Sequence, residues 1–182
     1  MTPAARRILD VASKLFYERG IHAVGVDTIA AESGVTKRTL YDRFGSKDAL
    51  LVAYLRERDQ RWRDLVAAHV DREHDTVRRA LAPFDALDVW LTSHSSRGCA
   101  FVNAFAELPD ADHSARQVIA DSKRWLRNLF GALLADTGAA DTDRLTRQLL
   151  TLHEGAIVAF SILGERTAPR DARDAAGVLL AR

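Results

Sequence analysis

Between Thr36 and Lys47 the sequence gathers side chains suited to an anionic, hydrogen-bonding partner: Thr36, Lys37, Arg38, Thr39, Tyr41, Arg43 and Lys47, with Asp42 the single acid among them. A forked guanidinium such as that of Arg38 can donate two bonds to a guanine edge, whereas threonine hydroxyls and the Tyr41 phenol suit phosphate or a thymine methyl. Lys37 and Arg43 suit phosphate. Lys47 opens a helix, where the positive end of the macrodipole disfavours a cation by roughly 0.3–1 kcal/mol. Either the neighbouring Asp48 or a phosphate bound at that helix start compensates. The whole chain, with a formal net charge of +1 at pH 7, offers no general attraction to phosphate, so such a partner would depend on this local patch.

A second group consists of aromatic or polar residues set in apolar helical stretches: Trp90, His94, Phe101, Asn103, Phe105, Trp125 and His153. Such residues either fill a core or line a pocket for a small molecule. Asn103 and His153 are the sharper pair, because a buried amide or imidazole needs a partner, which a ligand, a water or a backbone carbonyl can supply. Enzyme chemistry has little support. His153-Glu154 begins like a zinc-protease helix, yet Ile157 stands where the second histidine is needed. His69 and His74 lie five apart with no cluster of metal spacing around them, and phosphate-binding glycine loops are missing, so neither a metal nor a cofactor is expected. Cys99 is the only cysteine, which excludes an intrachain disulfide. In its apolar run it reads either as an inert small hydrophobe or as an oxidant sensor. No run of eighteen apolar residues spans a membrane, and the arginines of the first seven residues precede no apolar leader, so a cytoplasmic protein is expected.

These residues must be positioned by helices, since nothing in the chain alternates as a strand does. Thr2-Pro3 is a good helix start, and Ile8, Val11, Ala12, Leu15 and Phe16 then form one apolar stripe ending at Gly20. Asp27 or Thr28 is expected to cap a short helix carrying Ile29 and Ala30, Gly34 to break it, and Thr36 to cap another carrying Leu40 and Phe44. A long fourth helix follows Gly45-Ser46 and carries Leu50, Leu51, Tyr54, Leu55, Trp62, Leu65 and Val66 toward Val70. After a polar linker from Asp71 to Asp75, further helices are expected through Leu91 (with Pro83 as a candidate kink), over Cys99 to Leu108, from an Asp112 cap to Gly138, and from Asp141 to Leu163-Gly164. The last is apolar nearly all round from Gly155 onward, which calls for cover on every side, so Leu149, Leu152, Ile157, Phe160 and Leu163 are read as an interface with a second copy.

The segment from Val26 to Phe44 has the form of a helix-turn-helix, with Val35, Leu40 and Phe44 available to the core and the polar residues left to face outward. Phe16, Gly20, Thr28-Ile29-Ala30, Gly34-Val35-Thr36, Thr39-Leu40-Tyr41, Phe44, Ser46-Lys47 and Leu50 together resemble the N-terminal signature of the TetR family of transcriptional regulators. The resemblance covers about Ile8 to Leu55, and Arg97-Gly98-Cys99 through Leu108-Pro109 looks more loosely like one branch of that family's C-terminal domains. It implies an all-α fold with an N-terminal three-helix helix-turn-helix domain, taken here as residues 1–48, and a helical ligand-binding and dimerisation domain over 49–182. It also implies DNA contacts by Thr28, Thr36, Lys37, Arg38, Thr39, Tyr41 and Lys47. Asp42 departs from the histidine or tyrosine frequent there, and pairing with Arg38 or Arg43 would account for an acid so close to phosphates. The reading reached is a homodimeric regulator, a repressor released from a palindromic operator in double-stranded DNA by a small-molecule effector. The alternatives are a sequence-indifferent DNA-binding protein and a small helical hydrolase using His153.

Overall fold

Thr2 opens α1 (Pro3–Arg19) by accepting a bond from the Ala5 N–H at 3.3 Å, and the helix buries Ile8, Leu9, Ala12, Leu15 and Phe16. A computed structural model describes residues 1–94 and 97–181, without the His94 side chain. The pocket role expected of His94 therefore lies outside the described residues. Next come α2 (Val26–Ser33), α3 (Lys37–Phe44), α4 (Lys47–Val70), α5 (Thr76–His94), α6 (Ala100–Glu107), α7 (Ser114–Ala135), α8 (Thr142–Val158) with a π-helical turn over Ala159–Leu163, and α9 (Ala168–Leu180). Among the described residues there is no strand, so the all-α expectation holds.

Several boundaries have causes the sequence only half showed. α2 starts at Val26 behind Gly25, which gives no side-chain cap, rather than behind Asp27 or Thr28. α7 is opened by His113, whose Nδ1 accepts the Ala115 N–H at 3.1 Å, in place of the expected Asp112. α5 continues through the buried Pro83 without a break. The expected caps Thr36 and Asp141 are in place, accepting from the N–H groups of Thr39 and Arg144 at 3.1 Å each. α9 was not read from the sequence at all. It buries Ala168, Pro169, Ala172 and Ala176, small residues that recur at helical spacing.

The chain forms two compact units, Met1–Asp59 with Ala100–Asp121, and Gln60–Cys99 with Ser122–Arg182. In the first, Ile8, Leu9, Leu15, Ile29, Leu40, Leu50, Leu51 and Leu55 are essentially inaccessible to solvent and tie α1 to α4 together. The segment 100–121 is fastened to these helices by polar contacts. Glu107 accepts the His22 backbone N–H at 2.9 Å and approaches its Nδ1 at 3.3 Å, and His113 Nε2 lies 3.5 Å from Asp48. Burial works against a charged Glu107, but the backbone N–H groups of His22 and Ile21 and the His22 ring hold its carboxyl below the ordinary range.

The second unit has its own core, in which Trp62, Val66, Phe84, Leu87, Phe130, Leu134, Leu149 and Phe160 are buried. This core changes the reading of the apolar stretch expected to face a second copy. Leu149, Ile157 and Phe160 are buried within the unit itself, Leu152 is half-buried, and of the five residues only Leu163 is largely exposed, at 68%. α9, which the sequence reading lacked, packs against α8 in this unit. No described helix is long and apolar enough to cross a membrane.

Candidate nucleic-acid interface

The turn between α2 and α3 is made by Gly34 at φ 66°, a left-handed conformation that costs a side-chain-bearing residue more than glycine. Its neighbour Val35 donates to the Ala30 carbonyl at 3.1 Å, closing α2. Thr36 then caps α3. Thr36→Ala is expected to cost about 1 kcal/mol, lowering the melting temperature by about 2–4 °C, with Thr36→Ser close to wild type in the same thermal scan.

α3 is amphipathic in the way a recognition helix requires. Leu40 is wholly buried and anchors it, while Lys37, Arg38, Tyr41, Asp42 and Arg43 are exposed and Thr39 is half-buried. The Arg38 side chain is 91% exposed, and its Nε lies 4.0 Å from Asp42, a loose i,i+4 pair that a stronger partner can displace. Tyr41 is 42% exposed, unusual for so large a ring. Lys37 is held 3.0 Å from Asp27 on α2, and this carboxylate raises its ammonium above the ordinary lysine range. Thr28 on α2 is half-buried, and Thr36 is exposed at the start of α3.

Lys47 differs from the rest. Its Nζ donates to the Ile21 carbonyl at 2.6 Å and sits 6.0 Å from the Phe16 ring centroid. The cation at the start of α4 is therefore compensated by the α1–α2 loop, a partner no spacing rule would have suggested.

The second group of expected residues divides between the units. Phe101, Asn103 and Phe105 belong to the first unit, where Phe101 is buried, Asn103 half-buried, and Phe105 exposed beneath the Arg116 guanidinium at 4.0 Å. Trp90, Trp125 and His153 belong to the second. There Trp62 stacks edge-on to Trp90 at 5.6 Å and lies 5.7 Å from the His153 ring, which Phe84 and Phe130 flank at 5.8 and 6.1 Å. Trp125 carries the Arg63 guanidinium over its face at 4.7 Å. Beside His153 sits an ion pair missed in the sequence: Lys123 donates to both Glu154 oxygens at 2.7 Å and approaches the Cys99 sulfur at 3.6 Å. Burial opposes the charge on Lys123, yet the Cys99 sulfur and the Glu154 carboxylate hold its ammonium above the ordinary value. The available signal was that Lys123 stands on the same helical stripe as Ile119, Leu126 and Phe130.

A short helix, a glycine turn and a second, capped helix with its anchor inward and its hydrogen-bonding residues outward define a helix-turn-helix protein. The sequence profile of bacterial regulatory proteins of the tetR family matches residues 8–54. The chain is 34% identical over 113 residues to the HTH-type transcriptional activator FasR of Mycolicibacterium smegmatis, a match covering 62% of this chain and 43% of FasR. It is 32% identical over 93 residues to the HTH-type transcriptional repressor KstR2 of Rhodococcus jostii, covering 49% of this chain and 44% of KstR2. The chain thus spans less than half the length of these curated relatives. The crystal structure of a TetR-family transcriptional regulator from Streptomyces coelicolor superposes with a TM-score of 0.91 at 33% identity, over 98% of this chain and 95% of that one. The chain belongs to the TetR family of transcriptional regulators. Its relatives are described as regulators and not as enzymes.

Proposed function

We propose that this protein binds double-stranded DNA as a homodimer, with α3 of each copy in the major groove, and acts as a repressor released from a palindromic operator by a small-molecule effector. The observation that carries the reading is the outward face of α3, where Arg38 and Tyr41 stay exposed while Leu40 fixes the helix from beneath. Arg38 reads a base edge, and Thr36, Lys37, Thr39, Tyr41 and Arg43 hold the backbone. Lys47 supports this surface by bracing the α1–α2 loop, leaving the free N–H groups at the start of α4 to a phosphate. A two-fold dimer places two such helices about 34 Å apart, one turn of DNA, and hence favours a palindrome. FasR is named an activator and KstR2 a repressor. Repression is the simpler mechanism here, since occupancy of an operator suffices for it and no contact with another protein is required.

The effector is taken to act by population shift, stabilising a spacing of the recognition helices that DNA does not accept, with a coupling of about 1–3 kcal/mol. Sheared genomic DNA from the source organism, captured by the purified protein at moderate salt and sequenced, is expected to yield one enriched palindrome. Arg38→Ala should lose that enrichment while retaining bulk DNA at low salt. Retention of every sequence alike by the wild-type protein would favour a sequence-indifferent binder instead.

A further inference from the structure

The outward face of α3 holds one residue that its own surroundings do not explain. Asp42 lies in the last turn of the helix, where the negative end of the macrodipole disfavours an acid. Its side chain is 65% exposed, and Oδ2 reaches the Arg38 Nε only at 4.0 Å, with the cation four residues before the acid, the reverse of the order that favours a helical ion pair. Among the described residues this is its one ion pair, and Arg43, next to it in the chain, leaves the helix in another direction. The other acids near this surface are committed: Asp27 holds the Lys37 ammonium at 3.0 Å, and Glu32 holds the Arg19 guanidinium at 3.2 Å. Asp42 thus gains little in the free protein, and beside phosphates it meets repulsion. A partner that repays its place on this face must present a hydrogen-bond donor.

We infer that Asp42 is a specificity-determining residue that accepts a hydrogen bond from the exocyclic amine of a cytosine, one or two base pairs from the guanine read by Arg38. This deepens the DNA-reading role of α3 and rests on it. Carboxylate oxygens accept and do not donate, so the major-groove edge of guanine, with its N7 and O6 acceptors, and the O4 of thymine both repel them. Adenine offers its N6 amine beside the N7 acceptor. Cytosine offers its N4 amine with no acceptor next to it, and is the edge a carboxylate selects. Arg38 and Asp42 share one face of α3 and stand about 6 Å apart along it, close to two base-pair steps of roughly 3.4 Å, so together they span neighbouring positions of one half-site. Their loose contact keeps both side chains on the outward face and gives way once each meets its base. At a position without cytosine, Asp42 is an unpaired acid among acceptors, a penalty that a neutral side chain there would not impose.

Selection from a randomised duplex library at equal salt, read by sequencing, tests this with the wild type, Asp42→Ala, Asp42→Asn and Arg38→Ala. The wild type is expected to select a half-site in which replacing one cytosine weakens binding by about tenfold or more. Asp42→Ala should lose the preference at that position alone, and should bind duplexes lacking the cytosine more tightly than the wild type does. Asp42→Asn should turn the preference toward adenine, which an amide reads through N6 and N7. Arg38→Ala should lose the guanine and keep the cytosine. Asp42 is exposed, so its variants should melt as the wild type does, which separates a changed preference from a folding defect. Variants at Asp42 that bind every duplex more tightly with unchanged base preferences would overturn the assignment while α3 still reads DNA. Loss of the guanine preference in Asp42→Ala would overturn it as well, leaving Asp42 a support for Arg38 and not a reader. A wild type that selects no sequence would overturn both the assignment and the reading of α3 beneath it.

Discussion

His153→Leu should make this protein more resistant to acid unfolding without cost at neutral pH. The imidazole is 2% exposed, ringed by Trp62, Phe84 and Phe130, and neither ring nitrogen has a hydrogen-bond partner. Burial, reinforced by the nearby Lys123 cation, lowers its pKa from 6.5 to about 3. Glu154, whose oxygen lies 3.9 Å from Nδ1, is committed to Lys123 and does not offset this. A base whose pKa is depressed by folding takes up its proton preferentially in the unfolded chain. Stability is therefore complete above about pH 6.5 and declines as the pH falls toward 3. Integrated across that window, the loss from this one residue is about 4–5 kcal/mol, a large part of a typical domain's stability. Leucine has no proton to take up and forfeits no hydrogen bond here, so denaturant titrations at pH 7 and pH 4.5 should differ far less for the variant. Equal pH dependence in both proteins would show that the wild-type imidazole is solvated or paired.

The second large effect is expected from Leu40→Ala. Leu40 is the one fully buried residue of α3 and its anchor against the N-terminal core. Truncation removes roughly three methyl or methylene groups and leaves a cavity, at a cost of about 2–5 kcal/mol. An eight-residue helix does not persist without its packing. DNA affinity should therefore fall more than for any single exposed substitution on α3, and amide exchange should rise across α2 and α3 first. Exchange that rises evenly over both units would mean that Leu40 stabilises the chain as a whole and not the recognition helix.

The extent to which this architecture was legible in the sequence depended on where each signal resides. Local chemistry was readable: Thr2, Thr36 and Asp141 cap where their side chains allow, and the stripe of α1 lies in the core. Elements that lack side-chain signals were not. Gly25 opens α2 with its backbone alone, and α9 packs through alanines and a proline, small side chains that do not stand out as a core stripe although Arg170, Asp171, Arg173 and Asp174 set them off at helical spacing. Missing α9 also left out an element that packs on α8, in the unit where Leu149, Ile157 and Phe160 are buried. Partnerships between distant residues were also invisible, among them Lys47 with the Ile21 carbonyl, Glu107 with His22, and Lys123 with Glu154. They join segments between 26 and 85 residues apart, which periodicity cannot connect.

The central claim, that α3 reads DNA sequence, is tested most directly by fluorescence anisotropy on the enriched palindrome and on a scrambled duplex, for wild type and an Arg38→Ala, Tyr41→Ala double variant at equal salt. The account predicts that the wild-type protein prefers the palindrome by about a thousandfold or more, and that the variant loses most of this preference while binding the scrambled duplex nearly as the wild type does. A variant that keeps the full preference would contradict it and remove α3 from the role of reader.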